Sequence, residues 1–524
     1  MLHAGRSART VALAMTLTSA VACGSHTGNG ASVLATAPVR ATVASPKAPT
    51  ATTTPAPVGT AKPGSPPTAP DVVAGSLAWR RCADRVECAT LTVPKDYRDG
   101  AKGTIELNIK RRQTQQPSGR VGSLLVNPGG PGLPGTLMVD SAPGFFSPLL
   151  LDRFDIVAWD PRGTGASAPI VCRNNLDSLL AIDPTPDTPD ERQALLDGAK
   201  SFAEDCQRSA GDVLPYVSTE NSARDMEQIR KALSEEKISY FGGSYGSELG
   251  AYYATLFPTS VRAMVLDGAI DPRTGADGLA RAQAVGIETA LNAALTACAK
   301  SRKCPFFHDG DPFTAFDKLL AKLDATPLVV KDASGAPAIG QGIAYEAIIS
   351  TLYRKDFWPD LTSALAMAER GDGSELLGLY ESHVSYGGRA PHLFEAFLAI
   401  TCLDDPGSTD PAAIDALNAE MKAKAPRLGA LAATYDCVYW PYRADPFTVT
   451  GAGAGPIVVL GTTGDAFTPL ATSKGMAEAL EHGILVTVDA DTHTGYNEND
   501  CATQTVDRYL TELVVPDPGV ICKP

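Results

Sequence analysis

The chain has 524 residues, 44% of them apolar and 20% charged, a balance that suits a globular protein with a large core and is too long for one small domain. Its 45 Lys and Arg stand against 59 Asp and Glu, a formal net charge of −14. With that deficit and no basic run, the composition argues against nucleic acid or an anionic lipid surface as a partner.

The N-terminus reads as an export signal over residues 1–23. Arg6 and Arg9 precede the apolar stretch TVALAMTLTSAVA, which is too short to span a bilayer and suits a signal core. The stretch ends at Ala20-Val21-Ala22-Cys23, which is similar to a bacterial lipobox. Cys23 is therefore the candidate lipidation site, with plain secretion as the alternative, and a lipid there is the one expected membrane attachment. Residues 24–75 are Ala, Thr, Pro, Gly and Ser with few large apolar side chains, so they cannot offset their own ordering entropy. They read as a tether, with an r.m.s. span on the order of 40 Å for a flexible chain of that length.

From residue 76 onward, short apolar runs alternate with amphipathic helices, which predicts an α/β fold. Buried strands are expected at GSLLVN (122–127), FDIVAW (154–159), ISYF (238–241), RAMVL (262–266), PIVVL (456–460) and GILVTV (483–488). A helix is expected over Ser222 to Leu233, with Ser222 and Asp225 spaced as a capping box. Residues 276–443 break the rhythm and are mostly helical. They read as a helical cap inserted between a first core segment, 76–275, and a C-terminal one, 444–524. With Cys23 set aside, ten cysteines remain, an even number that suits an oxidising compartment. Joining sequence neighbours pairs Cys82 with Cys88, Cys172 with Cys206, Cys298 with Cys304, Cys402 with Cys437 and Cys501 with Cys522. No C-x-x-C pair points to a metal.

The strongest chemical signal is Gly242-Gly243-Ser244-Tyr245-Gly246. A G-x-S-x-G match alone is common and an ordinary βα turn is the plain alternative. Here a strand precedes it and a helix follows, as a nucleophile elbow of the α/β-hydrolase class requires. A serine hydroxyl needs a base to take its proton. Of the seven histidines, His3 and His26 fall in the signal and tether, His308, His383 and His392 in the cap, and His482 at the wrong end of a strand. His493, in the loop after GILVTV, is left at the carboxyl edge with Ser244. Asp465, after PIVVL, is the candidate acid that holds the base's tautomer, with Asp267 after RAMVL as runner-up. Asp491 is too close in sequence to His493 for that role. The order Ser244, Asp465, His493 is the chain order of this class. Oxyanion donors are expected at the backbone N–H of Tyr245 and in the loop Asn127-Pro128-Gly129-Gly130-Pro131-Gly132, where Gly130 is preferred over Gly129.

The stretch Gly130 to Gly135 also matches G-x-G-x-x-G, but its two prolines obstruct the helix start that a dinucleotide site needs. No H-E-x-x-H or phosphate loop occurs, so no metal and no cofactor is expected.

Taken together, VPKDYRD, NPGGPG, WDPRGTGAS, GGSYGSELG, AITCLDD, CVYWP, GDAFTPL and CATQTVDRYLTELVVPDPGVIC resemble the secreted tripeptidyl aminopeptidase family of α/β-hydrolases, related to proline iminopeptidases. The resemblance implies a serine exopeptidase that takes peptides with a free N-terminus, with the cap closing the far end of the cleft. It also implies a carboxylate for the substrate ammonium, for which Asp404 in AITCLDD matches the acidic position and Asp405 is adjacent. A solvated surface charge is the plain alternative for both. Gly464 before the acid and Thr492 before the histidine depart from the pattern without removing a catalytic group. The competing expectations are a carboxylesterase or lipase with the same triad, and a tethered lipoprotein that binds without catalysis.

Overall fold

Ten strands build one sheet in the order β1-β2-β3-β5-β4-β6-β7-β8-β9-β10. They are β1 (Arg80–Ala83), β2 (Val86–Pro94), β3 (Thr104–Arg112), β4 (Gly122–Asn127), β5 (Phe154–Trp159), β6 (Ile238–Gly243), β7 (Val261–Asp267), β8 (Ile457–Thr462), β9 (Gly483–Val488) and β10 (Ile521–Cys522). The computed structural model describes residues 77–172, 176–330, 336–431 and 433–524. The expected signal, tether and Cys23 lie outside them.

From β5 to β10 every pairing is parallel, while β1, β2 and β3 pair antiparallel and join through β3 to β5. The six strands expected from apolar runs are all present, each within one or two residues of its expected bounds. Their runs are continuous because both sheet faces are covered, as in other parallel sheets. Successive residues alternate between the two faces. Leu125, Val157, Met264 and Val459 pack in one core, and Leu124, Ile156, Val265 and Val458 in the other. The three antiparallel strands escaped the sequence reading because β2 and β3 carry polar residues at alternate positions on an exposed face. Helices Leu176–Leu180 and Pro189–Ala210, between β5 and β6, were not anticipated either.

The helix expected at Ser222 starts earlier, at Thr219, and runs to Ala232. Ser218 is its cap, accepting from the Asn221 N–H at 3.3 Å, so the expected Ser222/Asp225 capping box is not formed. Both residues are instead fully buried inside the helix. Asp225 faces Arg162 of the WDPRGTGAS segment in a two-pronged ion pair of 2.6 and 2.8 Å, and Tyr97 donates a further hydrogen bond at 2.7 Å. Arg162 spends its remaining N–H groups on the carbonyls of Lys95, Tyr216 and Pro94. This closed network pins β2, the loop after β5 and the Thr219 helix together.

Between β7 and β8 lies the helical insertion, from Gly275–Ala299 to Pro411–Lys424. It has its own core around Leu291, Phe316, Ile343 and Leu361. Its Leu393–Asp404 helix departs from that plan, since Leu398, Ile400 and Leu403 pack into the main core. Five disulfides join Cys82–Cys88, Cys172–Cys206, Cys298–Cys304, Cys402–Cys437 and Cys501–Cys522, the same neighbour pairs that the sequence suggested. The last fastens the helix Asp500–Glu512 to β10 at the sheet edge. Among the described residues no helix is long and apolar enough to cross a membrane.

Asp225→Ala leaves the Arg162 guanidinium buried without its counter-charge. The expected cost is about 3–5 kcal/mol, read as a lower urea midpoint at unchanged slope. A loss below about 1 kcal/mol would show that water or a neighbouring group compensates Arg162.

Candidate active site

The carboxyl ends of four adjacent strands supply the site. Ser244 follows β6, Asp267 ends β7, Asp465 lies in the loop after β8 and His493 in the loop after β9. The glycine-rich loop follows β4, which pairs with β6 so that Asn127 lies opposite Gly242. This is where open α/β sheets hold ligands, beside the point at which strand order reverses.

Ser244 sits at φ 54°, ψ −127°, between the end of β6 and the helix Tyr245–Leu256. A side chain is strained there, and such strain collects at functional turns. The turn also needs small neighbours. A Cβ on Gly246 would lie 2.7 Å from Asn127 O, and one on Gly129, at φ +102°, would lie 2.8 Å from Ser244 Cβ. The Ser244 N–H donates to Asp267 O at 2.8 Å. The Ser244 hydroxyl has no hydrogen-bond partner among the described residues.

His493 Nδ1 lies 2.9 and 3.0 Å from the two Asp465 oxygens. The same carboxylate accepts from the N–H groups of Phe467 and Thr468, each at 2.9 Å, and from the Thr468 hydroxyl at 2.9 Å. Burial works against the Asp465 charge, but His493 and these donors outweigh it and hold its pKa below the ordinary carboxylate value. Burial likewise opposes a charged His493, yet the Asp465 carboxylate prevails and raises the imidazole above its ordinary 6.5. The pair thus favours the Nδ1–H tautomer and leaves Nε2 to take a proton. A Cβ on Gly268 would lie 3.4 Å from His493 Cε1, so the imidazole lies close to the backbone just after Asp267, whose carbonyl accepts the Ser244 N–H.

Asp267, the alternative acid, does something else. Its carboxylate accepts from the N–H groups of Gly495 at 2.6 Å and Tyr496 at 2.8 Å. Asp491 lies out of the site, paired with Lys355 at 3.4 Å. At the oxyanion loop, Asn127 Oδ1 takes the Gly129 N–H at 2.9 Å. The N–H groups of Gly130 and Tyr245 have no acceptor among the described residues, which leaves them available as the expected donor pair. Asp405 is exposed and caps the start of the Gly275 helix, accepting from the Ala276 N–H at 2.8 Å. Asp404 is partly buried and accepts from the Thr219 N–H at 3.0 and 3.1 Å. Thr468 and Glu248 had no place in the sequence reading. The first had only its position three residues after Asp465 to recommend it, and the second its place one turn beyond Ser244.

A family described as the alpha/beta hydrolase fold matches residues 122–500. The chain belongs to the α/β-hydrolase family. Serine protease Hip1 of Mycobacterium tuberculosis is 34% identical over 466 residues, spanning 83% of this chain and 87% of its own. Carboxylesterase B of the same species is 34% identical over 490 residues, spanning 88% and 92%. The tripeptidyl aminopeptidase of Streptomyces coelicolor is 29% identical over 477 residues, spanning 86% of each chain. This α/β-hydrolase is a serine peptidase, similar to the tripeptidyl aminopeptidases as its motifs suggest.

Two outcomes test the arrangement. Ser244→Ala is expected to lower kcat by about six orders of magnitude and to abolish labelling by a fluorophosphonate. Labelling retained at another serine would show that the nucleophile lies elsewhere. For a small ester, kcat/KM should fall as pH drops through a value above 6.5, because the raised His493 must be neutral to act as base. An acid limb below 6.5 would mean that Asp465 does not govern the base.

Proposed function

We propose that this serine peptidase is an exported aminopeptidase that releases short peptides from free N-termini through an acyl-enzyme on Ser244. In this reading His493 takes the Ser244 proton as the hydroxyl attacks the scissile carbonyl. Asp465 holds the imidazole and stabilises its charge, and the N–H groups of Tyr245 and Gly130 receive the oxyanion. His493 then protonates the leaving amine, and water, deprotonated by the same histidine, releases the acyl group. The helical insertion acts as the cap that closes the far end of the cleft.

The observation that carries the free-amine preference is two carboxyl groups near Tyr245, Asp404 and Glu248, with no cationic partner among the described residues. Burial, reinforced by neighbouring Glu220 and Asp405, pushes Asp404 up to about 7. Glu248, on the nucleophile's own helix, is pushed up to about 8 by burial and by Asp404 and Asp405. Neither forms an ion pair with a described residue. Carboxylates held this way gain most from a cation that arrives with the ligand, and a substrate ammonium is such a cation. Asp405, engaged with the Gly275 helix, serves this charge from the second rank.

Export is supported by the five disulfides, which suit an oxidising compartment. The anchored form requires lipid on Cys23. Wild-type protein should then partition into detergent and Cys23→Ala should not; an unmodified mature N-terminus beyond Cys23 would leave secretion alone. A carboxylesterase is the second reading, favoured by the likeness to Carboxylesterase B. Comparing free with N-acylated peptide anilides separates the two, since equal turnover of both would remove the aminopeptidase reading.

The pH dependence has a worked sign. Asp404 must be ionised to hold a cation, so KM for free peptides should fall as pH rises through about 7. It should rise again near about pH 8 as an unperturbed α-amino group deprotonates. Asp404→Asn should remove the lower limb and cost about 3–5 kcal/mol in kcat/KM on free peptides, with little effect on small esters. Equal losses on both substrates would assign Asp404 to holding the Thr219 helix.

A further inference from the structure

The insertion meets the histidine loop through one short segment. Residues 353–355 run antiparallel to 491–493, with an isolated bridge that pairs Arg354 with Thr492. The His493 N–H donates to Tyr353 O at 2.7 Å, and the Lys355 N–H donates to Asp491 O at 3.1 Å. Arg354 Nη1 donates to Glu498 at 2.7 Å and to the Thr492 hydroxyl at 3.3 Å. The side chains repeat the contact. Tyr353 stacks on Phe467, with ring centroids 3.9 Å apart and planes at 17°. Both rings then present to the His493 imidazole edge-on, at 5.6 and 5.5 Å and 68° each.

The imidazole thus has two supports of different origin. The loop after β8 supplies Asp465, Thr468 and Phe467. The insertion, some 140 residues away along the chain, supplies the acceptor for the histidine's own N–H and one wall of its ring. Asp267 and Thr462 tie the loop on either side of His493, at Gly495, Tyr496 and the Thr492 carbonyl, but the acceptor for the His493 N–H comes from the insertion.

We infer that Tyr353–Lys355 is a positioning strap for His493, so that the base is held in register only while the insertion is seated on its loop. The inference rests on the reading of Ser244, His493 and Asp465 as the triad. Tyr353 and Arg354 touch no reacting atom and act through the histidine. A substrate that props the insertion away from the loop therefore loses turnover and not binding alone, which ties chain length and fit in the cleft to catalysis.

The test compares Tyr353→Leu, Tyr353→Phe and Arg354→Ala with wild type and His493→Ala, on a small ester and a free peptide anilide. The second readout is the low-field proton resonance of the His493 Nδ1–H, assigned by its loss in His493→Ala. Tyr353→Leu and Arg354→Ala should lower kcat by roughly 10- to 100-fold on both substrates with KM within about threefold, since displacement of about 1 Å has that scale of effect. Both should broaden the resonance. Tyr353→Phe keeps the ring and the main-chain acceptor, and should retain the wild-type rate and signal. A raised KM with intact kcat would make Tyr353 a wall of the substrate cleft and overturn the strap. Wild-type turnover with a sharp resonance in both disruptive variants would overturn it as well. If Tyr353→Leu does not fold, Arg354→Ala, which removes a partly exposed side chain, decides. Full activity in His493→Ala would remove the triad reading, whereas an inactive His493→Ala beside unimpaired strap variants would remove only the strap.

Discussion

Asp267 ties the two halves of the site together. Its main-chain oxygen receives the N–H of Ser244, and its carboxylate receives the N–H groups of Gly495 and Tyr496, just beyond His493. One residue at the end of one strand therefore holds both the strained serine turn and the loop that carries the proposed base. Burial sets the cost, since it pushes the Asp267 carboxyl up to about 6 against the pull of those two backbone donors. The arrangement works because β7 lies between β6 and β8 in the sheet, so its carboxyl end faces Ser244 on one side and the Asp465 and His493 loops on the other. Strand order, more than any single contact, turns three distant segments into one site.

Carboxylates of the same chemical type are driven in opposite directions around this frame. Asp465 is buried and yet keeps its pKa below the ordinary carboxylate value, because the His493 imidazole, two backbone N–H groups and one hydroxyl face it. Asp404 has one backbone donor and acidic neighbours, and its acidity weakens accordingly. Glu248 has no ion-pair partner among the described residues and shifts further. The first environment suits a charge that must persist through a reaction cycle. The second suits a charge that is completed when a cation binds. Neighbouring charge and hydrogen-bond supply decide between them: an imidazole and three further donors face Asp465, whereas acidic neighbours face Asp404 and Glu248.

The helical insertion has a comparable double character. Most of it packs on its own core, but its Leu393–Asp404 helix is built into the main one and carries Asp404 at its end. Its Tyr353–Lys355 segment lies on the histidine loop. An element that reads as a separate cap by composition is thus joined to the main body at two places, one in the core and one on the loop of the proposed base.

Of the seven strands that pair parallel, the sequence by itself determined six, all but the short β10, from unbroken apolar runs that follow from burial on both faces. It also determined the candidates Ser244, from its G-x-S-x-G turn between strand and helix, and Asp465 and His493, from their places after strand ends. It left β1 to β3 unread, since β1 is short and exposed along its length and the alternating pattern of β2 and β3 resembles that of many loops. It also misread Ser222 and Asp225 as a cap, because a polar pair spaced for capping and a polar pair buried for ion pairing look alike until the partner is known. That partner, Arg162, is more than sixty positions away. Only the tertiary structure shows what Asp267, Asp405, Glu248 and Tyr353 face, for one physical reason. Each lies against a group far off in the chain, and a carboxylate or a carbonyl takes its character from what faces it, which local sequence does not record.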